Sequence, residues 1–138
     1  MIRCFVLLMV LLIAGQSSAA LLSPRTYNKL ENIQQSINEQ PNIEQQEEIN
    51  NKLIELSEDL QGNSLGLALT WQTHAQLMLL SDDYNQANTF LAKAVKLEGL
   101  DSATQFQLKS FYAQILFIDE RYKEVVIVLT GLINASDF

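Results

Sequence analysis

The side chains able to do chemistry are few. His74 is the single histidine, set between Thr73 and Ala75, and Cys4 is the single cysteine. A zinc site gathers three or four ligands from Cys, His and carboxylates, and an activated nucleophile needs a base within reach. With no second histidine or cysteine, neither can be assembled, and His74 reads as a packed or edge histidine on a helix. Acidic neighbours occur at Glu47-Glu48, Asp82-Asp83 and Asp119-Glu120. The latter two fall in turns, where carboxylates cap the following helix and suit its dipole. Adjacent acids are not the facing pair that glycoside hydrolysis requires. Gly62 and Gly66 do not make a phosphate loop, and the alternating oxygen ligands of a calcium loop are missing. The reading is therefore not an enzyme, with no catalytic, cofactor-binding or metal-binding residues and no cofactor.

The composition describes a helical chain. It has 138 residues, 48% apolar, with five Gly and two Pro, which favours helix over a turn-rich β architecture. Residues 1–20 read as a secretory signal peptide: Arg3, an apolar run over Cys4 to Ala14, and then Gln16-Ser17-Ser18-Ala19-Ala20, with cleavage after Ala19 or Ala20. A spanning helix needs ~20 apolar residues, about twice this run, which argues against an uncleaved anchor. Residues 21–138 then form one domain without cysteine, so its core alone must hold it in an oxidising compartment. Bacterial periplasm is the expected location. Loss of Arg3 leaves 8 basic residues against 16 acidic, a net charge of −8. That balance speaks against nucleic acid and anionic lipid, so membrane contact is expected only through partners.

Six helices are expected, in hairpins over approximately 24–61, 64–98 and 102–134. Ser23-Pro24 opens the first helix as cap and first-turn proline. Ile49, Leu53, Leu56 and Leu60 form the apolar stripe of the second, and Gly62 ends it. Ala68, Trp71, Ala75 and Met78 mark the third, and Ala87, Phe90, Leu91, Ala94 and Val95 the fourth. Ser102 and Gln105 have capping-box spacing before the fifth. The run Val125 to Leu129 reads equally as buried strand, but a lone strand would have nothing to pair with among five helices, and helix is expected.

The chain repeats itself. Asp82-Asp83-Tyr84-Asn85-Gln86-Ala87 aligns with Glu120-Arg121-Tyr122-Lys123-Glu124-Val125, Ala75 with Ala113, and Leu91 with Leu129, all at an offset of 38 residues. The second hairpin resembles a tetratricopeptide repeat, with Trp71, Ala75, Ala87, Leu91 and Ala94 at the aromatic and small-residue positions and Asp83-Tyr84 at the turn. The third keeps Ala113, Tyr122 and Leu129. The resemblance implies an all-α, tetratricopeptide-like solenoid of about three antiparallel helix pairs. Leu22-Ser23-Pro24-Arg25-Thr26-Tyr27, Leu97-Glu98-Gly99-Leu100 and Tyr112-Ala113-Gln114-Ile115-Leu116 look, more narrowly, like the periplasmic tetratricopeptide proteins that accompany TonB systems, in a short form. That implies an adaptor or scaffold accessory to TonB–ExbB–ExbD energy coupling for outer-membrane iron or nutrient uptake, with protein partners among those components.

Such a stack exposes a concave face made by the first helix of each hairpin. Counting around the helices places Leu69, Gln72, Gln76 and Leu79 there, with Gln107, Ser110, Gln114 and Phe117 in the matching places. The glutamines would bond an extended peptide backbone, and Leu79 and Phe117 would take its apolar side chains. The sixth helix offers a second surface. Val126, Val128, Leu129, Leu132 and Ile133 cannot all be covered by one neighbour, and an exposed patch of that kind marks a partner or self-association surface. The alternative function is accordingly a self-associating structural unit without a TonB role.

Overall fold

A computed structural model describes residues 22–136; the leader expected over residues 1–20 lies outside the described residues. Among the described residues the chain is all-α and has no strand. Its six helices are α1 Pro24–Asn38, α2 Ile43–Asp59, α3 Ser64–Leu79, α4 Tyr84–Val95, α5 Ser102–Ile118 and α6 Tyr122–Ser136. The β-branched run is helical, within α6. No helix among the described residues is long and apolar enough to cross a membrane.

The boundaries follow from side-chain chemistry. Ser23, Asn42, Asn63 and Asp83 each accept a hydrogen bond from a backbone N–H of the first turn they precede, and Asn42 completes a capping box with Gln45. At α5 the cap stands one residue earlier than the Ser102–Gln105 spacing suggests. Asp101 accepts from the Thr104 backbone N–H at 2.7 Å, while the Gln105 side chain donates to the Leu100 carbonyl. A carboxylate accepts more strongly than a hydroxyl at an N-cap, so Asp101 takes the place.

Each connection carries one residue in the left-handed region: Gln40, Gly62, Asp82, Gly99 and Glu120. This is the usual way to end a helix while satisfying its last carbonyls. Gly62 and Gly99 adopt it freely, whereas Gln40, Asp82 and Glu120 do so against steric preference. Gly66 serves a different need. A Cβ there would lie 3.0 Å from Leu60 Cδ2, so its absence lets the first turn of α3 close on the preceding connection.

The core is built around α3, which packs on α1, α2 and α4. Leu67 and Leu77 join Leu30, Ile33, Ile37, Ile49, Leu53 and Leu56 of α1 and α2. Ala75 and Leu79 join Ala87 and Leu91 of α4 and Phe111 and Ile115 of α5. Ala68, Ala94 and Leu108 form a third, smaller cluster. The fully buried alanines at 68, 75, 87 and 94 leave room for neighbouring helices to approach closely, and Trp71 fills space beside them. Burying a Leu or Phe contributes ~1.5–3 kcal/mol each, so this interior supplies the main stabilisation.

Polar contacts tie the layers. His74 of α3 is 3% exposed. Its Nε2 lies 2.6 Å from Asn50 Oδ1 of α2, and its ring stacks on Phe90 of α4 at 3.9 Å. One side chain thereby joins three helices. The Asn88 amide of α4 donates to Asp119 Oδ2 in the α5–α6 connection.

Candidate protein-docking surface

The two surfaces expected from the sequence meet different fates. Helix α3 is buried nearly all round, because α1, α2 and α4 enclose it. Gln72, at 1% exposure, and Gln76 lie inside. Leu79 is a core residue packed with Leu91 and Phe111, and Leu69 packs against the cluster that holds Leu30 and Ile33 of α1. These four residues do not line an open concave face; α1 and the core of α4 and α5 occupy the space a peptide would take. On α5, Gln107, Ser110 and Gln114 are half-buried, and Phe117 alone of the eight is exposed. Both amide atoms of Gln72 are buried without a hydrogen-bond partner, as are Gln107 Oε1 and Asn88 Oδ1. The expected glutamine ladder is therefore an interior feature of α3 and a half-covered one of α5.

Most of the exposed large apolar side chains lie at the other end, on α6 and the end of α5 before it, with Ile43 and Ile54 of α2 and Phe106 of α5 exposed elsewhere. Val126 is 62% and Ile127 71% exposed, and Phe117, Tyr122, Leu129 and Ile133 are exposed as well. Phe117 and Tyr122 meet edge to face, their centroids 5.4 Å apart. Tyr122, Val126, Leu129 and Ile133 recur every three or four residues and so run along one side of α6. Leu132 and Val125 turn inward and are buried, and Val128 is half-buried. Of the four residues expected at this interface, Val126 and Ile133 are exposed and Leu132 is not. Ile127, the most exposed of the group, escaped the sequence reading because a run of five apolar residues hides which side faces inward.

The repeat alignment also divides here. Ala75, Ala87, Leu91 and Ala94 are fully buried, Ala113 is buried, and Trp71 and Tyr84 are half-buried. Tyr122 and Leu129, aligned with Tyr84 and Leu91, are exposed instead. The cause is the neighbour count. Helix α4 lies between α3 and α5, whereas among the described residues the one extensive contact of α6 is with α5. Leu91 meets Phe111 and Ile115 of α5; among the described residues no helix beyond α6 meets Leu129 in that way.

Electrostatics place charge beside this face but not on it. Arg121 donates to both carboxylate oxygens of Glu124 at 2.8 Å, which holds its guanidinium above the usual arginine range. Burial, with the Glu124 charge, pushes the Tyr112 hydroxyl up. Residues 125–136 then carry no charged side chain. A cleft of about 330 Å³ between α1 and α2 is floored by Ile33, Ile49 and Leu56 and rimmed by Lys29, Lys52, Glu55 and Asp59. Its rim mixes both signs, and Lys52 is already paired with Glu48 at 3.4 Å. Among the described residues no group of three or more His, Cys, Asp or Glu side chains converges as a metal site. No known protein-family model matches this chain, no curated protein matches it, and no solved structure matches it.

Proposed function

We propose that this chain is a non-catalytic protein-docking module, exported to the periplasm, whose three helix pairs stack as a short tetratricopeptide-type solenoid. The observation that carries this reading is the exposed apolar surface formed by Phe117, Tyr122, Val126, Ile127 and Leu129. A soluble protein gains nothing from leaving such side chains in water, and contiguous apolar patches of this sort mark interaction sites. The 38-residue repeat supports the solenoid. The TonB–ExbB–ExbD complex is the partner class that the motif resemblance supplies.

Affinity capture after cross-linking in the producing cell tests this. The full chain retains one defined set of partners, Val126→Asp loses them, and a surface change on α1 such as Lys29→Ala keeps them. Identical recoveries from wild type and Val126→Asp would remove α6 as the docking surface. A set lacking TonB, ExbB and ExbD would remove the narrower assignment while leaving the module.

A further inference from the structure

We propose that the ring faces of Trp71 and Phe90 form a binding site for a quaternary ammonium group, which the Lys93 ammonium occupies in the free chain. The site lies on α3 and α4 and stands or falls apart from the α6 surface. The observation behind it is a cation already seated there. Lys93 Nζ lies 5.9 Å from the Trp71 ring centroid and 5.8 Å from that of Phe90, inside the ~6 Å over which a ring quadrupole attracts positive charge. Among the described residues Lys93 takes no ion pair, although the chain carries sixteen acidic side chains. Its charge rests on two aromatic rings instead.

The rings are fixed and the cation is not. Trp71 packs against the core shared with α1 and α2 and against the cluster of Ala68, Ala94 and Leu108. Phe90 packs against the cluster that holds Leu91 and Phe111, and its ring is stacked on His74 with 17° between the planes. Both rings are half-buried, whereas Lys93 is exposed on a flexible four-carbon stem. Swinging that stem aside leaves the two rings in place, held from behind by the interior. A primary ammonium is strongly hydrated and gives up its water reluctantly. A quaternary ammonium has no N–H to leave unpaired, and its methyl groups bury apolar area against the rings. At this place the chemistry favours the quaternary group over Lys93.

The test uses the full chain, whose single tryptophan is Trp71, so its emission reports the site directly. Choline is titrated beside its uncharged carbon isostere, and phosphatidylcholine vesicles are titrated as well, since the same group arrives free or as a lipid headgroup. The emission is expected to respond saturably to choline and far less to the isostere. Lys93→Ala is expected to tighten binding about two- to fivefold, the equivalent of one exposed cation–ring contact removed from competition. Phe90→Leu is expected to weaken it, with helical circular dichroism unchanged. A response to the vesicles assigns a lipid headgroup, and a response to choline alone assigns the free molecule.

No saturable response to either probe in Lys93→Ala overturns the proposal. So does an equal response to the uncharged isostere, which would show plain apolar contact. Binding that Lys93→Ala leaves unchanged places the ligand elsewhere and overturns it too, a reading that needs no Phe90 variant to fold.

Discussion

His74 illustrates what one buried side chain contributes. Burial, and then the charge of Lys93, lower its pKa from 6.5 to about 4. The ring sits between Asn50 and Phe90, and its burial there favours the neutral form. Because the folded pKa lies below the unfolded value, this stability is fully present above pH ~6.5 and is lost as pH falls toward 4. The loss amounts to on the order of 3 kcal/mol. Urea unfolding from pH 7 to pH 4 is predicted to show that decline in wild type and little of it in His74→Gln. Asp101 works in the same direction of proton binding, at lower pH. The Thr104 backbone N–H, and then its hydroxyl, hold the carboxyl low, so its contribution is present above the usual carboxylate range and is lost as pH falls through that range, mostly below the His74 window. Gln72 is the converse case, a buried amide with neither atom bonded. Replacing it by Met, similar in shape and without the orphaned atoms, is predicted to raise the unfolding free energy by about 1–2 kcal/mol; a loss of that size would mean the amide is bonded. That His74 would be packed was legible from its place in an apolar helix. That Gln72 and Gln76 would be interior was not. Position around a helix follows from counting, but which neighbours close over it depends on how α1 crosses α3.

At the scale of elements, boundaries and helix types were the most readable layer, because Ser23-Pro24, Gly62 and Asp82-Asp83 carry their own punctuation. The Asn42–Gln45 capping box carries the same kind of signal in its residue types. The α5 cap moved to Asp101 because two competent residues stand side by side. Left-handed geometry at non-glycine positions was not readable: Gln40, Asp82 and Glu120 have no sequence mark of it. Glu120 is exposed and stands at φ 61°, so Glu120→Gly is predicted to stabilise the chain by about 0.5–1 kcal/mol, after the greater freedom of glycine in the unfolded state is subtracted. Thermal and urea unfolding would check it, and destabilisation would show that Glu120 makes a contact worth more than its strain. The misplacement of Tyr122 and Leu129 has a physical cause of its own. An alignment carries residue types from one repeat to the next but not the neighbouring helix that buries them.

For the whole molecule, the governing asymmetry is between the acidic helices α1 and α2 and α6, which beyond Glu124 carries no charge through Ser136 and exposes several apolar side chains. The all-α class follows from composition and periodicity, and the α3-centred interior follows from alanines at 68, 75, 87 and 94. The site was half legible: Val126 and Ile133 were recognised on α6, whereas Ile127, Phe117 and Tyr122 emerge as one surface only once the α5–α6 turn is folded. The account stands on that surface being used. Its most direct test is a photoactivatable side chain placed at Ile127 in the full chain and, separately, at Glu44 on the polar end, with irradiation in the producing cell. Discrete protein adducts from position 127, to a second copy or another partner, and none from position 44 are the predicted result. Equal labelling from both positions, or none from position 127, would contradict it.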